Sequence, residues 1–332
     1  MIPKTNCPIC GISKNPNNFL KNYISPYNKQ EYKLYECSNC LLQWWEPLKI
    51  IPEFYESEGC ELYIRLHEEI HSPLRSNHLL FFEKFPNYTK EKLLDIGCGN
   101  GSFLKAAKES GFEVWGVDLD SKSVEMAKKT VNEDTIFSIS FEDFYNFAKK
   151  NKLVFNVITF FEVLEHQDNP RKFLEMVKDL LSEGGWIAGS VPNRERLFAD
   201  IDWKYFRIDY PPHHFLRFSS KALKKILERM GFKKILIVKT KFSFMELPYF
   251  IEKKYLGDFE KMKIRLKKFV GVPERMAKGL AVEELGLYGG KKWKIFFLKI
   301  GKITRNVLFF PLTILYLNRL KNGPFLYFQA SK

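Results

Sequence analysis

The chain has no apolar run long enough to cross a bilayer. Its longest, VLFFPLTILYL at 307–317, holds about eleven residues and a proline, where a span needs about 20. Its start, MIPKTNCPIC, lacks the apolar stretch of a secretory leader, so a cytoplasmic location is expected. No repeat recurs along the 332 residues, which argues against solenoid and propeller folds. Cysteine is scarce, six in all, and four of them stand in two C-x-x-C pairs. In a reducing compartment such pairs signal metal or redox chemistry rather than disulfides.

What is present suits a folded protein. Hydrophobic residues make up 45% and charged residues 28%, outside the range of disordered chains. The length leaves room for one large α/β domain with appendages. The net charge of +14 is unevenly placed: residues 241–332 carry 19 Lys or Arg against 7 Asp or Glu, so the remainder is close to neutral.

Five regions follow from these patterns. Residues 1–45 hold the cysteine pairs, and 46–90 read as a helical connector. Residues 91–240 alternate short apolar runs with helical periodicity, the signature of βαβ units around a parallel sheet. Strands are predicted at 92–96, 113–118, 135–139, 155–160 and 186–191. SFLKAAKESG and KALKKILERMG read as helices ended by glycine. Residues 241–316 form a basic, aromatic, helical insertion before the last strand, which belongs to 317–332.

The segment LDIGCGNGSF, Leu94 to Phe103, carries the most chemistry. A buried strand enters Gly97-Cys98-Gly99-Asn100-Gly101, and Ser102 opens a helix. Glycines at such a turn let backbone approach a ligand closely. About twenty residues on, a second strand ends in Asp118, placed to accept ribose hydroxyls. A dinucleotide would want a third glycine where Ser102 stands, and no negative charge near its pyrophosphate. Asp95 brings a carboxylate to the turn, which suits the amino group of S-adenosylmethionine instead. Cys98 reads as a small packing residue of the turn.

DIGCGNG resembles the first motif of class I S-adenosylmethionine-dependent methyltransferases. GVDLD is similar to their second motif, FFEVLEHQDNP to their fourth, and LLSEGGWIAGSVPN to the segment that follows. The resemblance covers 91–240 and implies a Rossmann-like α/β sheet with helices on both faces. It implies that Asp95, Gly97, Cys98, Gly99 and Gly101 line the methionine end of the cofactor and Asp118 the ribose. Leu119 would flank the adenine, Ser140 and Phe141 its edge, and Phe160, Phe161 and Glu162 would close the pocket beneath the sulfonium. His166 is expected to be structural.

Methyl transfer relies on alignment, with a base needed only where the acceptor must lose a proton. Base candidates lie in Asp209-Tyr210-Pro211-Pro212-His213-His214, above all His213 and His214, with Tyr205 and Asp209 behind them. His214 also matches a pattern in which the histidine braces a helix starting near Ser219 or Ser220.

Cys7, Cys10, Cys37 and Cys40 pair as two knuckles and suit a structural Zn²⁺ in a small zinc ribbon; Cys60 has no partner by spacing. A zinc ribbon before such a domain is similar to glycan- and sugar-modifying methyltransferases, and also to rRNA methyltransferases. The first fits better, because the Pro-Pro-His-His loop at 211–214 and the Val-Pro-Asn strand end at 191–193 resemble its members; against RNA, neither an Asn/Asp-Pro-Pro-aromatic motif in the fourth-motif position nor a Pro-Cys nucleophile is found. The expected acceptor is a small molecule or glycan: a sugar, nucleotide-sugar or lipid-linked saccharide. The basic insertion is read as an amphipathic cap or as a contact with an anionic membrane, with nucleic acid ranked below.

Overall fold

In a computed structural model of the chain, residues 6–13, 16–50, 74–85, 91–205, 209–256 and 292–332 are described. Of the expected helical connector, 51–73 and 86–90 lie outside these, as do Cys60 and 257–291 of the insertion.

The N-terminal module contributes strands β1 (Phe19–Ile24), β2 (Glu31–Glu36) and β3 (Gln43–Glu46), joined as an antiparallel meander. Helix α1 (Ser76–Lys84) precedes the main sheet. The core then runs β4 (Lys92–Ile96), α2 (Ser102–Glu109), β5 (Glu113–Asp118), α3 (Ser121–Val131), β6 (Ile136–Ser138) and α4 (Phe141–Lys150). It continues with β7 (Phe155–Phe161), α5 (Pro170–Leu180) and β8 (Leu181–Pro192). Each helix start has a local cause. Asp120, Ser140 and Asn169 cap α3, α4 and α5 with their side chains, and Pro170 stands at the first helical position of α5.

After α6 (Ala199–Tyr205), a two-residue strand β9 (Leu216–Arg217) pairs antiparallel with β3 and so extends the N-terminal sheet. Ser219 caps α7 (Ser220–Arg229), which leads to β10 (Lys233–Lys239). Then follow α8 (Leu247–Leu256), α9 (Lys292–Thr313) and β11 (Phe325–Ser331).

The main sheet has seven strands in the order β10-β11-β8-β7-β4-β5-β6. β11 is antiparallel to both neighbours, and the pairs from β8 to β6 are parallel. Successive residues face opposite layers, as a pleated strand requires. On β4 and β7, Leu94, Ile158 and Phe160 join α4, α5 and α7 in one buried cluster, while Leu93 and Val157 join α1, α2 and α3 in the other. The first cluster continues into the N-terminal module through Tyr32, Trp44 and Trp45. From β4 the chain runs outward to β6 and returns on the other side at β7. The switch point between β4 and β7 is where a doubly wound sheet opens a crevice for ligands.

The chain forms two compact units. The first comprises Met1–Arg196, Ile208–Thr240 and Pro324–Lys332, the second Leu197–Arg207 and Lys241–Gly323. The second is built on a cluster of Leu197, Phe198, Ile201, Phe242, Leu247, Ile251 and Tyr316. Residues 197–207, placed with the 91–240 core on sequence grounds, group with the insertion because their apolar side chains pack there. The final strand starts at Phe325, since Ile314–Arg319 form a 3-10 helix. Among the described residues, no helix is long and apolar enough to cross a membrane.

Candidate active site and cysteine centre

The glycine turn adopts left-handed backbone, with φ of 75° at Gly97, 51° at Gly99 and 79° at Gly101. At two positions the glycine is also required by packing. A Cβ on Gly101 would lie 2.9 Å from Ala127 Cα, and one on Gly97 would lie 2.6 Å from Val163 Cγ2. The second contact places the segment after β7 directly against the turn.

Two carboxylates organise this region. Asp118 ends β5 and accepts the backbone N–H of Gly99 and of Asp120, each at 2.9 Å, so the first and second motifs are tied by one side chain. The next residue, Leu119, is 76% exposed, an apolar surface beside that carboxylate. Asp95 is buried and accepts a 2.6 Å hydrogen bond from the Thr159 hydroxyl. Burial pushes its carboxyl up to about 8, the hydrogen bond from Thr159 opposing and the charge of Asp118 reinforcing the shift.

The other expected cofactor residues divide into two groups. Ser140 accepts the N–H of Asp143 as the cap of α4, and Phe141 begins that helix with its ring 5.2 Å from Phe173. Glu162 follows β7 with φ of 57°, a left-handed backbone uncommon outside glycine and often found at functional sites. Its carboxylate accepts the Ser190 hydroxyl at 2.6 Å, and Ser190 accepts Asn77 at 2.8 Å. Burial raises Glu162 to about 7. By contrast, the side chains of Cys98 and Phe160 are packed into the two cores, and Phe161 is buried against Phe103 and His78. What Cys98 and Phe160 present to a ligand is therefore backbone.

Beyond β7, Glu165 and His166 gather with Asp209, His213 and His214. His166 Nδ1 donates to the His213 carbonyl at 2.7 Å, and the rings of His213 and His214 stack at 4.2 Å. The Nε2 atoms of His166 and His214 each lie 3.9 Å from Glu165 Oε1. His214 Nδ1 lies 3.5 Å from Asp209 Oδ1, and Arg196 donates to Asp209 Oδ2 at 2.8 Å. Burial alone would raise Asp209. The hydrogen bond with His214 and the Arg196 guanidinium reverse that and hold it well below the usual carboxylate range. Burial depresses His166 to about 3, and His214 to about 4 although Asp209 opposes it; His213 is lowered too. The three rings are thus neutral near pH 7. Glu165 is fully buried, and burial together with the Glu162 carboxylate raises it well above its ordinary value.

The sequence reading singled out His213 and His214 and placed His166 apart from them as structural; the fold brings the three together. It did not point to Thr159, Glu165, Arg196, Ser190 or Asn77. A polar residue inside an apolar strand, as Thr159 and Ser190 are, was the available signal. Tyr205 has no described side chain.

The loop carrying the histidines is held by the N-terminal module. Trp45 Nε1 donates to the Asp209 carbonyl at 3.3 Å, Trp45 N to the Phe215 carbonyl at 2.9 Å, and Lys21 Nζ to the Tyr210 hydroxyl at 2.7 Å. In that module Cys7, Cys10, Cys37 and Cys40 are buried with all four Sγ atoms within 4.8 Å of one another. The closest pairs, Cys7–Cys40 at 3.5 Å and Cys10–Cys37 at 3.4 Å, are far beyond a disulfide bond. Two matching turns shape the cluster: Gly11 N bonds to the Cys7 carbonyl and Leu41 N to that of Cys37, with Gly11 and Leu41 both left-handed. Four buried sulfurs on paired knuckles match the donor set of a closed tetrahedral zinc centre.

A family model described as a methyltransferase domain matches residues 66–237. The chain belongs to this methyltransferase family. It is an S-adenosylmethionine-dependent methyltransferase with the sheet and flanking helices of the class I fold. Ubiquinone biosynthesis O-methyltransferase of Paraburkholderia phymatum is 29% identical over 198 residues, spanning 58% of this chain and 78% of that one. Its namesake in Saccharophagus degradans is 32% identical over 142 residues, 40% of this chain and 57% of the relative. Among solved structures, phosphoethanolamine N-methyltransferase 2 of Haemonchus contortus superposes with a TM-score of 0.50 at 16% identity. That match covers 87% of this chain and 62% of that one.

The site suits the family's cofactor on its own terms. Asp95 is a buried acid beside the turn, raised by its burial, and a ligand ammonium beside it would favour its ionised form. Asp118 has acceptor oxygens at the second strand end with an exposed apolar neighbour for a flat base.

Proposed function

We propose that this methyltransferase modifies a small molecule bearing an ionisable hydroxyl, a sugar, nucleotide-sugar or lipid-linked saccharide. The observation that carries the reading is the cluster in which His166, on the segment that packs against the glycine turn, meets His213 and His214 of the 209–214 loop. It puts proton-accepting groups beside the cofactor crevice, which an acceptor hydroxyl needs and an amine that is already neutral does not.

S-adenosylmethionine, when bound, supplies an electrophilic methyl group on a cationic sulfur. In this proposal Asp95 takes its ammonium group, Gly97, Gly99 and Gly101 take the methionine end against bare backbone, and Asp118 takes the ribose hydroxyls. Leu119, Ser140 and Phe141 border the adenine, and Glu162 with the backbone of Cys98, Phe160 and Phe161 lines the floor. His213 receives the acceptor proton, while His214, backed by Asp209 and Arg196, holds it in place. The basic charge of residues 241–332 supports an acceptor carrying phosphate, free or on a lipid, and a peripheral contact with the anionic inner face of a membrane. A structural Zn²⁺ on Cys7, Cys10, Cys37 and Cys40 keeps the histidine loop in position.

Transfer of labelled methyl groups into a cell extract, separated into nucleotide-sugar, lipid and RNA fractions, tests the acceptor class. Label in the first two is expected. Label confined to RNA would overturn the small-molecule reading and favour the alternative that zinc and basic charge also suit.

A further inference from the structure

We infer that Asn77 and Ser190 are positioning residues for Glu162, and that the carboxylate they hold lets the site prefer cationic S-adenosylmethionine to its neutral-sulfur product, S-adenosylhomocysteine. Hydrogen-bond roles give the contacts a direction. Asn77 Oδ1 accepts the His78 N–H at 3.1 Å, which identifies the oxygen end of the amide and turns Nδ2 to Ser190. An amide nitrogen donates, so the Ser190 hydroxyl accepts from it across 2.8 Å. The one proton of that hydroxyl is left for Glu162 Oε1, 2.6 Å away, which accepts it. That length is typical of a hydroxyl on a charged carboxylate.

These contacts run from α1 through β8 to the residue after β7. Asn77 and Ser190 are both fully buried, so the bonds between them form away from solvent. Ser190 stands opposite Phe161 in the parallel pair of β7 and β8, and its carbonyl accepts the Glu162 N–H at 2.9 Å. One serine thus holds both main chain and side chain of Glu162, at the residue where the backbone turns left-handed. Glu162 itself is half-buried, which leaves part of its side chain open to a ligand. Its neighbours bracket the glycine turn: Val163 lies where a Cβ on Gly97 would fall, and the Phe161 ring packs on Phe103 of α2. His78, next to Asn77, packs on the same two rings.

Burial opposes ionisation of Glu162, while the Ser190 hydroxyl and the exposed Arg75 before α1 favour it; Asp209 and Arg196 act in opposite senses. Glu165 is raised well above its ordinary value, so Glu162 is the one of these two neighbouring acids that ionises. S-adenosylmethionine and S-adenosylhomocysteine differ by one methyl group and one positive charge. A carboxylate kept at the floor of the crevice attracts the first and is indifferent to the sulfur of the second. Methyl transfer then turns a favoured ligand into one that leaves.

This preference rests on the proposed placement of Glu162 at the crevice floor, and calorimetric titration of the full chain with both ligands separates the two. The wild-type chain, Glu162→Gln, Ser190→Ala, Ser190→Thr and Asn77→Ala are compared at about pH 8, above the Glu162 value of about 7. Glu162→Gln is expected to lose about tenfold in affinity for S-adenosylmethionine and to stay within about twofold for S-adenosylhomocysteine. Ser190→Ala and Asn77→Ala should lose about threefold to fivefold, on the first ligand only. Ser190→Thr keeps the hydroxyl and should keep the wild-type ratio. Retained binding of S-adenosylhomocysteine is the control for folding. Equal weakening of both ligands in Glu162→Gln would overturn the preference while leaving the residue in the crevice. Unchanged binding of both would overturn the placement as well. A split in Glu162→Gln that is absent from both Ser190→Ala and Asn77→Ala would overturn the positioning role. If Glu162→Gln binds neither ligand, the ratio in Ser190→Ala decides: a loss confined to S-adenosylmethionine supports the preference, and an unchanged ratio overturns it.

Discussion

The carboxylate of Asp118 accepts the backbone N–H of Gly99 across 2.9 Å, binding the end of the second core strand to the glycine turn of the first. A residue proposed to hold the ribose thus also shapes the loop that receives the methionine end. Loss of this side chain should disturb both halves of the cofactor site.

The turn itself makes a stability prediction. Gly101→Ala would force a Cβ to 2.9 Å from Ala127 Cα at a φ of 79°. A destabilisation of about 2–4 kcal/mol is expected from strain and backbone clash together. Thermal unfolding measures it, and an unchanged Tm would contradict the packing account of that glycine.

Asp95 makes a pH prediction. Its folded value of about 8 lies above its unfolded value of about 4, so the folded chain holds a proton that the unfolded chain has released. The stabilisation from this group is complete below about pH 4 and is lost as pH rises through about 8. An ammonium group beside Asp95 would favour its ionised form. Cofactor binding near pH 7 should therefore release a proton, read by calorimetry in two buffers of different ionisation enthalpy, and Asp95→Asn should abolish the release.

The cysteine centre makes a third. Because β3 pairs with β9 and Trp45 holds the Asp209 carbonyl, loss of the proposed zinc should move the histidine loop before it moves the glycine turn. In Cys37→Ser/Cys40→Ser, cofactor affinity should persist while methyl transfer falls by about a hundredfold, the scale of a misplaced acceptor. Equal loss of both would show that the module does no more than hold the fold.

The second unit makes a fourth. Val307 and Leu308 on α9 are 67% and 69% exposed, and Ile303 and Leu315 are exposed as well. Val307→Asp/Leu308→Asp should reduce flotation of the chain with anionic liposomes and leave its cofactor affinity unchanged. Equal flotation would remove the membrane contact.

Much of this was legible in the sequence because it is local. Alternating apolar runs set β4, β5 and β7 to within a residue, and Ser219 stands where a helix cap should. β8 extends further back than expected, to Leu181, because its first residues continue directly from α5 without a loop. What stayed hidden is long-range. β9 has two residues and no period to betray it, yet it ties the cysteine module to the histidine loop. His166 and His213 lie 47 positions apart and meet only once β7 and the 209–214 loop have folded. Cys98 and Phe160 sit inside recognisable motifs, but only packing shows that their side chains face the cores.

Calorimetric titration of S-adenosylmethionine into the wild-type chain, Asp118→Ala and Gly99→Arg tests the central claim most directly. The account predicts binding to the wild-type chain with one cofactor per chain and its loss in both variants while the fold, followed by circular dichroism, is kept. Binding that both variants retain at wild-type affinity would contradict it, and would move the cofactor away from the turn between β4 and α2.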